Sequence, residues 1–176
     1  MKLDLQKDSV KLRKYIEKRI RDYPVYENLG PGEDDDPIGL ITLGYYAAQG
    51  GYANLVFDTR KDAEVDGEWT VHIDNETNTC PFPKWTVACE ALCDEKTVEV
   101  TKHDGTQITL QNYEDEDAVQ AVFGEMLASV LTELRDDGTL AKLPLTPTAY
   151  MVVEEFDGLY FFPDYDTRKT AGRIAH

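Results

Sequence analysis

Apolar residues recur every three or four positions in two long stretches of this chain and alternate or cluster in several shorter ones, a pattern that predicts helices set among strands. Between residues 5 and 23, Leu12, Tyr15, Ile16, Ile20 and Tyr23 fall on one helical stripe, and the opposite face is basic. Pro24 marks the end, because the residue before a proline is pushed out of the helical region. The clearest helix spans 115–136, where Val119, Val122, Phe123, Met126, Leu127, Val130, Leu131 and Leu134 repeat at spacings of three and four. Glu114, Asp115, Glu116 and Asp117 sit where the helix dipole favours negative charge, and Gly138 suits the C′ position. A shorter helix is expected over 84–93, with Trp85, Ala88, Cys89 and Leu92 on its buried face.

The strands follow a period of two or form continuous apolar runs. Residues 38–47, 52–59 and 68–73 are rich in β-branched and aromatic side chains, separated by Gln49-Gly50-Gly51 and by Asp66-Gly67, and predict three successive antiparallel strands. Runs at 97–101 and 106–110 flank His103-Asp104-Gly105, and those at 148–156 and 159–162 flank Asp157-Gly158; both Asp-Gly pairs predict hairpins. Residues 28–37 carry glycines, prolines and adjacent acids without an apolar face, which makes them a solvated loop. Residues 74–83 are expected to cross irregularly, and Leu140, Leu143 and Leu145 among Pro144 and Pro147 to form an apolar connection. The expected fold is α+β: a single domain over residues 1–163 with a mainly antiparallel sheet of six or seven strands and two main helices on one face, followed by a mobile tail at 164–176.

Length supports that reading, since a domain of 176 residues buries roughly 70% of the surface its unfolded chain exposes and needs no staple. No apolar run approaches the roughly 20 residues of a membrane span, and the first eight residues lack the apolar segment of an export signal, so a cytoplasmic location is expected. Three cysteines, Cys80, Cys89 and Cys93, fit reduced thiols in such a compartment.

Charge changes the picture most. The 34 acidic and 18 basic residues give a net −16, but eight of the basic and only four of the acidic residues lie within residues 1–22. The first 22 residues are therefore +4, and the remaining ten basic and thirty acidic residues leave −20 for the rest. A field of that sign repels nucleic acid and anionic lipid and draws in a basic partner.

Motifs for chemistry are sparse. The phosphate loops G-x-x-x-x-G-K-[ST] and G-x-G-x-x-G are absent, as are H-E-x-x-H and G-x-S-x-G, so no cofactor is expected. Cys89 and Cys93 share a helical face with Cys80 elsewhere, and zinc would need His72 or His103 as a fourth ligand; small buried hydrophobes are the expected role. Residues 74–79 begin like a calcium loop, but Thr79 replaces the glycine at the sixth position and Trp85 the acid at the twelfth. Aromatic residues remain: Tyr45, Tyr46 and Tyr52 cluster around the first turn, and because strand neighbours face opposite ways Tyr45 and Tyr46 cannot both point inward.

Val56-Phe57-Asp58-Thr59 followed by Asp66-Gly67-Glu68-Trp69-Thr70, in a small acidic chain, resembles the immunity proteins that bacteria carry against polymorphic toxins. The resemblance implies a non-catalytic inhibitor that covers the active site of a toxin, often a basic nuclease. The expected function is accordingly a binding protein for a basic protein partner, with Glu33, Asp34, Asp35 and Asp36 steering the encounter and the exposed members of Tyr45, Tyr46 and Tyr52 anchoring it. The alternatives are a small enzyme in which His72, cysteines and carboxylates meet in a cleft, and a structural or oligomeric component.

Overall fold

Asp4 ends a three-residue strand, β1 (Lys2–Asp4), and caps the helix that follows, its Oδ1 accepting from the Lys7 N–H at 3.3 Å. The computed structural model describes residues 1–23, 37–58, 79–112 and 115–155. In chain order these form β1, α1 (Leu5–Arg21), β2 (Ile38–Tyr46), β3 (Tyr52–Asp58), β4 (Thr79–Pro81), α2 (Pro83–Cys93), β5 (Val98–Thr101), β6 (Gln107–Leu110), α3 (Glu116–Asp136), a 3-10 turn (Leu140–Lys142) and β7 (Leu145–Glu155).

The strands form two sheets rather than one. One has the order β1-β5-β6, with β1 parallel to β5 and β5 antiparallel to β6. The other has the order β4-β3-β2-β7, in which β2 pairs antiparallel with β3 and parallel with β7. β2 is thus a central strand covered on both faces, which is why its sequence is a continuous apolar run instead of an alternation.

α3 lies at the centre of the packing, against α1, α2 and β7. Its whole predicted stripe is buried, and Gly124 and Ala128 are buried as well, so more than one side of the helix is covered. Phe82, Trp85 and Phe123 stack nearly parallel in the core, with ring centroids 4.4 and 4.2 Å apart. One contiguous apolar cluster joins both sheets and all three helices. Complete burial of side chains this large contributes roughly 1.5–3 kcal/mol each.

Three expectations are corrected. A single mainly antiparallel sheet gives way to two mixed sheets, because β1 and β7 enter as parallel partners of strands far along the chain. The crossing expected to be irregular contains β4, which pairs with the end of β3. The apolar connection after α3 folds as a 3-10 turn, and β7 starts at Leu145, earlier than expected. The predicted strand at 68–73, the second strand of the final hairpin and the 164–176 tail lie outside the described residues.

Candidate functional site

The first candidate surface is the tip of the β2–β3 hairpin. Tyr45 points into the core: it is fully buried, donates its hydroxyl to the Gln120 carbonyl at 3.1 Å and meets Trp85 edge-on. Tyr46 faces the other way and pairs in register with Tyr52, their rings stacked at 6.2 Å and both partly exposed. Partial burial raises the Tyr52 phenol above its ordinary range. Of the three tyrosines, Tyr46 and Tyr52 are therefore the partly exposed pair; Glu33, Asp34, Asp35 and Asp36 lie outside the described residues.

The tip is held by α2. Phe82 donates its N–H to the Gly51 carbonyl at 2.5 Å, and the Thr86 hydroxyl donates to the Ala47 carbonyl at 3.1 Å. Gly51 has φ +56°, and a Cβ there would stand 2.4 Å from the Phe82 carbonyl oxygen, so this close approach requires glycine. Below Tyr46 and Tyr52, the same face of the sheet carries Thr42, Asn54, Asp58 and Glu154, all buried, with the Thr79 hydroxyl donating to Asn54 Oδ1 at 2.7 Å. These polar positions alternate with Ile41, Leu43 and Tyr45, which face the helices.

The second candidate is a cleft of about 220 Å³ between the β5–β6 turn and α3, lined by Lys102, His103, Asp104, Glu125, Met126 and Ser129. Lys102 Nζ lies 2.5 Å from Glu125 Oε2. His103 is held at both nitrogens: Nδ1 is 2.7 Å from Ser9 Oγ on α1, and Nε2 is 2.9 Å from Glu133 Oε1 on α3. Glu133 also pairs with Arg13, whose guanidinium reaches Glu17 and Asp137. The backbone N–H of Thr106 donates to Asp104 Oδ1 at 2.8 Å and holds that carboxyl below the usual range.

A serine, a histidine and a glutamate in a hydrogen-bonded row have the composition of a hydrolytic relay, but the geometry differs from one. Ser9 is buried in the first half of α1 and does not line the cleft. Its hydroxyl lies 2.6 Å from the Leu5 carbonyl oxygen, which can only accept and so competes with His103 Nδ1 for the single hydroxyl proton. What the row does is tie the β5–β6 turn to two helices.

Cys80 and Cys89 are buried, and burial pushes the Cys80 thiol up to about 11. Cys93 is exposed at the end of α2. Among the described residues no three His, Cys, Asp or Glu side chains gather to hold a metal ion; His72 lies outside them. No helix of the described residues is long and apolar enough to cross a membrane. The roles of Ser9, Glu133, Lys102 and Glu125 around His103 were not foreseen: the turn was legible, but Ser9 and Glu133 are 94 and 30 residues from it.

Comparison of the chain with protein-family models, with curated proteins and with solved structures found no match.

Proposed function

We propose that this protein is a non-catalytic binding protein of the immunity type, an inhibitor whose acidic body captures a basic protein partner such as a toxin. The observation that carries this reading is the charge distribution: residues beyond 22 hold a net −20, a field that accelerates encounter with a basic surface. Tyr46 and Tyr52 support it as a stacked aromatic pair fixed by the contacts of α2, so little side-chain entropy remains to be lost on docking. In this reading Glu33, Asp34, Asp35 and Asp36 steer the encounter by their charge and Tyr46 and Tyr52 anchor it.

Affinity capture of the tagged protein from its native cells, at low and moderate salt and read by mass spectrometry, tests this. A basic protein recovered in stoichiometric amount and lost as salt rises is the expected result. With that partner, joint neutralisation of Glu33, Asp34, Asp35 and Asp36 slows association, whereas Tyr46→Ala with Tyr52→Ala speeds dissociation. A protein that comes down alone at both salts overturns the reading. The cleft beside His103 is the observation on the side of a small enzyme, and saturable binding of a small molecule there, lost on His103→Ala, would bring that reading forward.

A further inference from the structure

α1 carries two faces of opposite kind. Leu5, Leu12, Ile16 and Ile20 are buried against the core, while Lys7, Lys11, Lys14, Lys18 and Arg21 are exposed along the other side. These five cations follow one another at spacings of four, three, four and three residues, which keeps them on one ridge of the helix. The ridge is about 21 Å long, for 14 residues at 1.5 Å each. The other two arginines of the helix are off it: Arg13 is engaged by Glu17, Glu133 and Asp137, and Arg19 is buried.

Part of the ridge is used within the chain. Lys7 pairs with Asp4 at 2.7 Å, Arg21 with Asp22 at 3.8 Å, and Lys11 donates to the Pro81 carbonyl and lies over the Phe82 ring. Among the described residues Lys14 and Lys18, at the middle of the ridge, make no ion pair. Val10, 54% exposed, stands beside them as an apolar contact.

We infer that this ridge docks a short acidic helical segment of a partner protein. The charge is complementary, and so is the pitch: acids placed every three to four residues on a second helix recur about every 5 Å, as the cations of the ridge do. Length selects the class of partner. Charges more than about 8 Å from the ridge are screened at physiological salt, so a short segment feels mainly the ridge itself, with Asp4 and Asp22 offsetting its two ends and Lys14 and Lys18 carrying its middle. A long polyanion such as nucleic acid also meets the acidic body, which repels it. The ridge is opposite in sign to the surface proposed for the basic partner and is therefore a separate site.

Fluorescence anisotropy tests this with the intact protein and a labelled alanine-based helical peptide of about 18 residues, five turns long, carrying glutamates at the four-three-four-three spacing. Saturable binding that weakens with salt is expected. Lys14→Glu with Lys18→Glu lowers affinity about tenfold or more, and Lys14→Ala with Lys18→Ala gives a smaller loss in the same direction. Both side chains are exposed, and an unchanged circular dichroism spectrum shows the variants folded. Absence of saturable peptide binding overturns the inference, as does binding that both variants leave intact. Tighter binding of a single-stranded oligonucleotide or of phosphatidylserine vesicles than of the peptide, lost in the same variants, also overturns it and assigns the ridge to that ligand.

Discussion

The indole N–H of Trp85 donates to Asp8 Oδ2 at 2.9 Å, joining α2 to α1 at the edge of the core. Trp85 is fully buried, between Phe82 and Phe123 and edge-on to Tyr45, while Asp8 is half-buried. The ring thus sits among three other aromatic rings and places its one polar atom where it meets a carboxylate.

Replacing Trp85 by Phe keeps an aromatic ring but removes the donor and leaves a cavity. A loss of about 2–4 kcal/mol is expected in urea unfolding followed by far-ultraviolet circular dichroism. Asp8→Ala, which removes the acceptor, should cost less in the Trp85→Phe background than in the wild type, because the shared hydrogen bond is already gone. Strict additivity of the two substitutions would show that the bond contributes nothing.

Asp8 also gives the fold a pH dependence. Burial raises its pKa above the ordinary carboxylate value, outweighing the Trp85 hydrogen bond and the charges of Lys11 and Lys84. A carboxyl raised in the folded state contributes most below its unfolded pKa of about 4, and that contribution is lost as pH rises through the raised value. Asp8→Asn removes this titration, so the stability of the variant relative to wild type should increase between about pH 3 and pH 7. Parallel unfolding curves at the two pH values measure it, and a constant difference would contradict the assignment.

Glu95 terminates α2 at a cost. It has φ +57°, with Lys96 donating to the Ala91 carbonyl at 2.8 Å and Glu95 to the Leu92 carbonyl at 2.9 Å, a Schellman ending that favours glycine. Glu95→Gly relieves roughly 1 kcal/mol of left-handed strain, and a Tm rise of about 2–4 °C is expected by calorimetry. A lower Tm would mean that the Glu95 side chain offsets the strain.

The thiols should separate by exposure. Iodoacetamide is expected to modify Cys93 in the native protein and to reach Cys80 and Cys89 only after unfolding, as peptide mass spectrometry would show. Rapid native modification of Cys80 would contradict its burial and raised pKa.

How much of this was legible follows from sequence distance. The stripe of α3 is a local repeat, and all eight of its predicted positions are buried. His103-Asp104-Gly105 predicts a turn from three residues, and β5 and β6 pair around it with Gly105 at φ +87°. The tyrosines were half legible. Alternation requires Tyr45 and Tyr46 to face apart, but which one enters the core depends on where Gln120 and Trp85 lie.

By itself the sequence determined the three helices, the β2–β3 and β5–β6 hairpins and the separation of a basic first helix from an acidic remainder, because each is set by neighbours within a few positions or by charge alone. Only the tertiary structure decided that β1 pairs in parallel with β5, β2 with β7, that Ser9 meets His103 and that Trp85 meets Asp8. A strand of three residues has no periodicity to detect. A parallel pair or a side-chain hydrogen bond across 77 or 94 residues is selected only when the whole core closes, since burial then leaves each apolar face and each polar atom few places to go.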